Sequence, residues 1–246
     1  MQAVTFDYWN TLVWEEPGLL RARRLAPWAA ILEEAGHGVE ADRLAAANDR
    51  EWETWNHHWE AGAAQFQARM AIDRILTEAG VDPPREVRES LVAVYSSAGR
   101  AADLHPADGS ADCLRSLKAA GVRLGIVCDV GMTPSHVLRQ RLDGWGLLEL
   151  FDHWSFSDEV GAYKPSARIF EHALAGLGRP TPARVAHVGD RLRTDVAGAR
   201  AMGMVSVRYI GLYDDEDEGY TEADRVIADL RDLPKALGVS RGSAYG

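Results

Sequence analysis

The feature that most constrains the fold is an alternation of short apolar segments with amphipathic ones, which begins near Pro106 and continues toward the end of the chain. Apolar segments of strand length, such as "RLGIVCD" and "RVAHVGD", are separated by segments whose apolar residues have helical spacing. Repeated strand and helix units of this kind build a parallel sheet that helices cover on both faces. With the apolar residues 4–6 as a first strand, the pattern predicts an α/β fold with a Rossmann-like parallel sheet.

Residues 15–103 carry a different pattern. Apolar residues recur there at helical spacing in four successive segments, of which the first stops at Gly36 and the third near Gly80. Four amphipathic helices in succession predict a small bundle. We therefore expect a core of residues 1–14 and 104–246, and an inserted four-helix cap of residues 15–103 that covers the edge of the sheet as a lid.

The composition is that of a globular protein, with 46% hydrophobic and 26% charged residues in 246. A net charge of -10 disfavours nucleic acids and anionic membranes as partners, because both repel a negative surface, but it permits a small-molecule substrate. Two cysteines, no basic leader and no long apolar stretch predict a soluble, cytoplasmic protein. The sequence specifies neither the substrate nor the oligomeric state.

Polar residues stand where the predicted strands end. Asp7 follows the first strand, Cys128 and Asp129 end a second, Asp190 ends a third, and Lys164 lies in the loop after "HWSFS". Ligands of open parallel sheets bind beyond the carboxyl ends of the strands, so neighbouring strands would bring these groups to one edge. A carboxylate such as Asp7 at the end of a buried strand is costly unless it is paired, bound to metal or reactive.

Three motifs in this order resemble those of the haloacid dehalogenase superfamily, which is dominated by Mg²⁺-dependent phosphohydrolases. The pattern D-x-x-x-T-L is met at residues 7–12, the lysine motif by "YKPSARIF", and G-D-x-x-x-x-D at residues 189–195 within "HVGDRLRTDVAGARAMGM". The match covers nearly the whole chain. The helical insertion between the first two motifs likewise resembles the α-helical C1-type cap of this superfamily.

The resemblance implies a role for each matching residue. Asp7 would attack phosphorus and become an aspartyl phosphate, and Lys164 would neutralise the nucleophile and the phosphate oxygens. Asp190, with Asp195 directly or through water, would hold Mg²⁺ together with Asp7 and the backbone carbonyl of Trp9. Charge considerations agree, because clustered carboxylates raise one another's pKa and a hard dication favours oxygen ligands.

Trp9 departs from the superfamily's pattern. Phosphatases of the superfamily usually have a second aspartate here that protonates the leaving oxygen, which an indole cannot do. Losing such an acid typically lowers the rate by about 10²- to 10⁴-fold. Three interpretations stay open: a substrate whose leaving group needs little protonation, an acid borrowed from elsewhere, or another reaction. The superfamily's dehalogenases also have an aromatic residue here, so 2-haloacid dehalogenation with Asp7 as nucleophile is the alternative, although the retained acidic motif weighs against it.

The second departure lies at Cys128, where the superfamily normally has Ser or Thr to donate to phosphate. A thiol is a weak donor, but the backbone amides of Asp129 and Val130 would still bind the substrate phosphate. Asp129 is also a candidate for the borrowed acid, since neighbouring negative charge would keep it protonated near neutral pH. A catalytically weak ligand-binding member of the family is a further alternative that Trp9 and Cys128 support.

Other groups have competing interpretations. The three tryptophans of residues 51–60 fit a packed stripe inside the bundle better than a wall that stacks on substrate. Arg191 and Arg193 are equally compatible with substrate binding and with an exposed loop. The acidic run of residues 214–218 is expected to be a solvated loop, because it lacks the spacing and the glycine of a calcium loop.

Overall fold

The computed structural model describes residues 1–16, 18–60, 68–97, 104–131, 133–217 and 219–239; Glu218, the last residue of the acidic run, lies outside them. Contacts between Cα atoms divide the chain into two compact units. The core unit consists of Met1–Trp14, His105–Asp129 and Leu142–Gly246, and the helical unit consists of Glu15–Leu104 and Val130–Arg141. The sequence offered no reason to separate residues 130–141 from the alternating strands and helices around them.

The core unit contains a six-stranded parallel sheet, which confirms the predicted α/β class. Its strands are β1 Ala3–Phe6, β4 Arg123–Cys128, β5 His153–Phe156, β6 Val185–Gly189, β7 Val205–Tyr209 and β8 Arg225–Ile227, in the spatial order β5-β4-β1-β6-β7-β8. Two further strands, β2 Val13–Glu15 and β3 Leu104–Pro106, pair with each other in a separate sheet. All residues of β1, β4 from Leu124 onward and β6 are buried, as a sheet covered on both faces requires.

The order of the strands creates a switch point at β1. The chain continues from β1 to β4 and β5 on one side and later to β6, β7 and β8 on the other. In sheets of this kind the crevice for ligands opens where the strand order reverses. The carboxyl ends of β1, β4 and β6 are therefore adjacent at the place where a site is expected.

Helices connect the strands of the core unit. They are α5 Ser110–Ala119, α7 Ser157–Val160, α8 Ala167–Gly176, α9 Ala197–Ala201 and α10 Leu233–Ala236, and α6 Ser135–Gly144 begins in the helical unit and ends in the core unit. Helix α8 has a clear start signal, because the Ser166 hydroxyl accepts a hydrogen bond from the Arg168 backbone amide. Its buried face includes Ile169 and Phe170.

The helical unit has a core of its own. Its helices are α1 Leu19–Glu34, α2 Ala41–Glu60, α3 Ala68–Ala79 and α4 Arg85–Ser97. Trp28 lies at the centre of the apolar cluster, where it stacks on Tyr95 at 5.5 Å between ring centroids and donates from Nε1 to the Leu91 carbonyl at 3.0 Å. Among the described residues, none of the helices combines the length and the apolar character needed to cross a membrane.

The three tryptophans of α2 stack on one another. The centroids of Trp52 and Trp55 are 5.0 Å apart, and those of Trp55 and Trp59 are 5.7 Å apart. Trp52 is 45% exposed, so the interpretation of the three rings as a stripe inside the bundle is wrong for this residue. Trp55 also lies against Gly131 of the same unit, where an added Cβ would be 3.3 Å from the ring.

Candidate active site

Four buried ionic side chains converge at the carboxyl edge of the central strands. Asp7, Asp129 and Asp190 directly follow β1, β4 and β6, and Lys164 comes from the loop that leads to α8. Lys164 is only 3% exposed, although lysine is almost never buried without partners. The structure therefore places Asp7, Asp129, Asp190 and Lys164 together at one edge of the sheet, where the sequence predicted them.

Asp7 is held at the end of β1 by the backbone around it. Its amide donates to the Val188 carbonyl at 2.8 Å, so the pairing of β1 with β6 continues as far as Asp7. The chain then turns sharply, with the amides of Leu12 and Val13 donating to the Tyr8 carbonyl and with Asn10 at a φ of 55°. Asparagine tolerates this left-handed conformation better than most residues. The turn fixes the direction in which the Asp7 carboxylate leaves the strand.

Three carboxylates share one lysine at this edge. One oxygen from each of Asp7, Asp190 and Asp195 lies within 4.8 Å of the others, and all three side chains are buried. The Lys164 ammonium donates to Asp7 Oδ1 at 2.5 Å and to Asp195 Oδ1 at 2.6 Å. The ionised cluster would carry three negative charges against the buried Lys164 ammonium and the partly exposed Arg191 guanidinium, whose Nε lies 3.6 Å from Asp190. The net negative charge that remains attracts a further cation.

The three carboxylates differ in how far protein donors satisfy them. Asp195 Oδ1 accepts from Lys164 and lies 2.9 Å from His187 Nε2, and its Oδ2 accepts from the Arg191 amide at 3.1 Å and the Thr194 hydroxyl at 3.3 Å. Asp190 has weaker contacts among the described residues: Asn10 Nδ2 at 3.5 Å and Arg191 Nε at 3.6 Å. Asp190 therefore retains lone pairs for a ligand, whereas Asp195 is anchored.

The pKa shifts follow the same division. Burial, only partly opposed by Lys164, raises the pKa of Asp7 to about 7. Burial and the neighbouring charge of Asp7 raise the pKa of Asp190 well above its usual value. The pKa of Asp195 is lowered, because the charge of Lys164 and the hydrogen bond from His187 outweigh its burial. Both carboxylates at Lys164 raise the pKa of that amine despite its burial, so it is charged.

The donor set fits a hard divalent cation. Burial is the main cause of the raised pKa values of Asp7 and Asp190, and the neighbouring carboxylates raise them further. Mg²⁺ prefers oxygen ligands and commonly takes one or two carboxylates together with water and substrate phosphate. A cation beside Asp7 and Asp190 would favour their ionised forms, which is the state that a nucleophile requires.

Asp129 holds the loop that carries Lys164. Its Oδ1 accepts a hydrogen bond from the backbone amide of Lys164 at 2.8 Å, across 35 residues of sequence. Cys128, directly before it, is fully buried, and its burial raises the pKa of the thiol. The structure thus gives Asp129 a contact that fixes the position of Lys164, and Cys128 is an uncharged thiol beneath the site.

The loop that carries Asp190 and Asp195 is tightly wound. A π-helical turn covers Leu192–Val196, in which the amides of Asp195 and Val196 both donate to the Arg191 carbonyl. A Cβ on Gly189 would lie 2.2 Å from the Asp195 carboxyl carbon. Glycine at this position therefore lets the Asp195 side chain fold back against the end of β6.

Several contributors to the site were not predicted. His187 lies in β6 with one ring nitrogen toward Asp195, and burial lowers its pKa, so the ring is neutral. The signal for His187 was a polar residue inside the otherwise apolar segment "RVAHVGD". Asp215 belongs to the acidic run that was expected to be solvated, but it is buried and accepts from the Leu192 amide at 2.8 Å. Arg191 is restrained by Tyr213, whose ring centroid lies 4.3 Å from its guanidinium carbon.

Comparison with known proteins agrees with the geometry. A family model described as haloacid dehalogenase-like hydrolase matches residues 1–203. The chain is 30% identical over 163 residues to a glyceraldehyde 3-phosphate phosphatase of Methanocaldococcus jannaschii, covering 65% of this chain and 68% of that protein. The chain spans about two thirds of the length of the first curated relatives that it matches.

Solved structures of similar fold include both kinds of enzyme that the sequence suggested. A HAD phosphatase of Thermococcus onnurineus superimposes with a TM-score of 0.69 at 27% identity, covering 98% of this chain and 100% of that one. A 2-haloacid dehalogenase of Pseudomonas syringae reaches a TM-score of 0.71 at 22% identity, covering 97% and 98%. The second likeness concerns the fold alone.

Proposed function

Because the chain belongs to the haloacid dehalogenase-like hydrolases, we propose that it is a Mg²⁺-dependent phosphohydrolase that acts on a small phosphorylated metabolite through an aspartyl phosphate on Asp7. The observation that carries the proposal is the buried cluster of three carboxylates around a single lysine. Such a cluster has the charge to hold a dication and the geometry to present one carboxylate as a nucleophile. Relatives named as phosphatases, one of them a glyceraldehyde 3-phosphate phosphatase, support a phosphorylated small molecule as the substrate.

In this proposal Asp7, Asp190 and the backbone carbonyl of Trp9 would hold Mg²⁺, together with Asp195 directly or through water, and the ion would supply positive charge to the phosphate oxygens. Protein donors at both oxygens of Asp195 fix the position of its carboxylate. The substrate phosphate binds at the backbone after Cys128, next to Asp129. The assignments of Asp7, Asp190 and Asp195 rest on the short distances between their carboxylates and on their burial.

The protein's own groups account for the chemical steps. Asp7 attacks phosphorus in line, the bond to the leaving oxygen breaks, and water then hydrolyses the aspartyl phosphate to regenerate the carboxylate. Lys164, at 2.5 Å from Asp7, neutralises charge during the approach of two anions. Trp9 supplies no proton to the leaving group, so substrates whose leaving group is stable as an anion, such as acyl phosphates, are favoured.

We further propose that the inserted residues 15–103 act as the cap, with substrate specificity in their helices. Four helices with a buried cluster of their own give this segment the internal order that such a role needs. Closure of a cap would exclude bulk water from the aspartyl phosphate until the step in which water hydrolyses it.

The proposal is tested by measuring phosphate release from acetyl phosphate and p-nitrophenyl phosphate, with Mg²⁺ and with EDTA. Asp7→Asn should lower turnover by about 10⁴-fold or more, because the nucleophile is lost. Asp143→Asn, the same change at an exposed aspartate of α6, is the matched control and should leave turnover unchanged. Turnover that persists in EDTA or in Asp7→Asn would overturn the proposal.

Trp9 favours a second candidate, dehalogenation of a 2-haloacid, because a halide leaves without a proton. Asp7 would then attack carbon, and Asp190 and Asp195 would stand without a role beside an anionic substrate. Chloride release from 2-chloropropionate in EDTA, lost in Asp7→Asn, would establish this candidate. Thermal stabilisation by phosphorylated ligands without any turnover would instead indicate the catalytically weak binding protein.

A further inference from the structure

We propose that His187 and Thr5 form a buried hydrogen-bonded relay that positions Asp195 and, through it, the ammonium of Lys164. The role is one of positioning, since neither His187 nor Thr5 touches the reacting atoms in the proposed reaction. The inference rests on the proposed function for what Lys164 and Asp195 do, but the relay itself is a property of the fold.

The relay follows from the sheet register. Thr5 of β1 and His187 of β6 are direct partners in the parallel ladder. Thr5 Oγ1 lies 2.9 Å from His187 Nδ1, and His187 Nε2 lies 2.9 Å from Asp195 Oδ1. Both side chains are essentially inaccessible to solvent, and Phe170 packs edge-on against the imidazole at 5.1 Å. The ring therefore has little freedom to turn.

The chemistry of the partners determines the direction of each hydrogen bond. An ionised Asp195 can only accept, so His187 Nε2 carries the proton and donates it. A neutral imidazole then offers Nδ1 as an acceptor, and the Thr5 hydroxyl is the donor that reaches it. Thr5 Oγ1 can also donate to the Ala186 carbonyl, at 3.3 Å, but its contact with His187 Nδ1 is the shorter of the two. The relay thus runs from Thr5 through His187 to Asp195.

Asp195 Oδ1 is the point at which the relay meets the lysine. The same oxygen accepts from His187 and from Lys164, which also donates to Asp7. The position of the imidazole therefore helps to set where the ammonium lies relative to the nucleophile. Hydrogen bonds to a ligand's carboxylate that come from outside the metal's own shell typically change affinity or activity by about 10- to 100-fold.

A merely structural histidine would satisfy its hydrogen bonds in the core without affecting the site. The two roles are separated by substitutions that differ in donor capacity. His187→Gln keeps an amide donor at about the reach of Nε2, His187→Leu removes it, and Thr5→Val removes only the hydroxyl behind the ring. His172→Leu is the matched control, because it removes a histidine that bonds Ser155 of β5 outside the carboxylate cluster.

The experiment measures the dissociation constant of Mg²⁺ by calorimetry, kcat and KM for acetyl phosphate, and urea unfolding for each full-length variant. We expect His187→Leu to weaken Mg²⁺ binding and to lower kcat about 10-fold or more with a smaller change in KM. His187→Gln should stay within about threefold of the wild type on both measures, and Thr5→Val should fall between them. Thr5→Val should add nothing in the His187→Leu background, because it acts through the ring.

Each outcome supports or overturns the relay or the proposed function. A folded His187→Leu protein with wild-type Mg²⁺ affinity and kcat would overturn the relay, as would Gln and Leu variants that are equally impaired. Wild-type protein that binds Mg²⁺ but turns over no phosphate would count against the proposed function, while a weaker Mg²⁺ affinity in His187→Leu alone would still support the relay. Wild-type protein that fails to bind Mg²⁺ would overturn both.

Discussion

The helical unit and the carboxyl edge of the core unit's sheet both bury ionic side chains, but they balance the charges differently. In the helical unit the buried Glu51 accepts two hydrogen bonds from Arg74, at 2.5 and 2.6 Å, so one acid meets one base. At the edge of the core unit, three buried carboxylates lie together, but the buried ammonium of Lys164 donates to only two of them, Asp7 and Asp195. Asp190 has only the partly exposed Arg191, at 3.6 Å. A matched pair serves folding, whereas an excess of one sign is costly to folding and indicates a site that binds a cation.

The two regions also differ in how the sequence builds them. Glu51 and Arg74 lie on successive helices and are 23 residues apart, so their contact forms with the bundle. The members of the edge cluster come from distant parts of the chain: Asp7 and Lys164 are 157 residues apart, and Asp7 and Asp190 follow the paired strands β1 and β6. Substitutions should therefore affect stability in one region and catalysis in the other, which the following predictions examine.

The largest expected effect is at Lys164. Lys164→Met removes the ammonium that donates to Asp7 and Asp195 and should lower kcat by about 10³-fold, because charge stabilisation in a water-poor site is strong. Lys118→Met is the matched control, since that lysine pairs with Asp152 at the edge of the core unit, half-exposed, and should leave kcat unchanged. Phosphate release assays measure both. Equal losses of kcat in Lys164→Met and Lys118→Met would contradict the distinction between the lysine of the site and a lysine in an ordinary ion pair.

The pH dependence of stability should show the cost of the charge excess. The folded pKa of Asp7 is raised from 3.8 to about 7, so its contribution to stability is present below about pH 4 and is lost as pH rises through 7. Asp190 shifts in the same direction. Because the pKa of Asp195 is lowered, its contribution to stability is present above about pH 4 and is lost as pH falls below that value.

We therefore expect the protein in EDTA to lose stability between pH 4 and 8, and Asp190→Asn to be more stable than the wild type at pH 8. Saturating Mg²⁺ should remove the difference by compensating the charge. Urea unfolding at a series of pH values measures this effect. A flat profile for the wild type in EDTA would show that the edge cluster is as well balanced as the pair in the helical unit.

The smallest effect should come from the matched pair. Arg74→Leu leaves Glu51 buried without its base and should lower the free energy of unfolding by about 2 kcal/mol, less than for a fully buried pair because Arg74 is 41% exposed. Adding Glu51→Gln should recover part of this loss, since the remaining charge is removed. The kcat of the folded fraction should not change, and a fall in kcat would contradict the division between the two regions.

The sequence was sufficient for the parts of the fold that depend on local patterns. The alternation after Pro106 predicted the parallel sheet, and strand ends marked Asp7, Asp129 and Asp190 as residues of one edge. These predictions succeed because burial on both faces requires continuous apolar strands, and because parallel strands place their carboxyl ends together.

What the sequence could not supply were contacts that depend on register and loop geometry. The pairing of Thr5 with His187 follows from which residues of β1 and β6 lie opposite each other, and apolar periodicity carries no such information. The burial of Asp215 depends on its reaching the Leu192 amide across 23 residues, so its acidic neighbours suggested solvent instead. The outward position of Trp52 is similarly a matter of which side of α2 meets the bundle.

The pairing of β2 with β3 has a consequence for how this protein can be re-engineered. The chain leaves the core unit along β2 and returns along β3, so the two ends of the insertion emerge as adjacent strands. A foreign helical insertion needs only to span that same short gap to be grafted in place of residues 15–103. The inserted segment can thus be replaced without interrupting the six-stranded sheet, because both of its junctions lie in the separate two-stranded sheet.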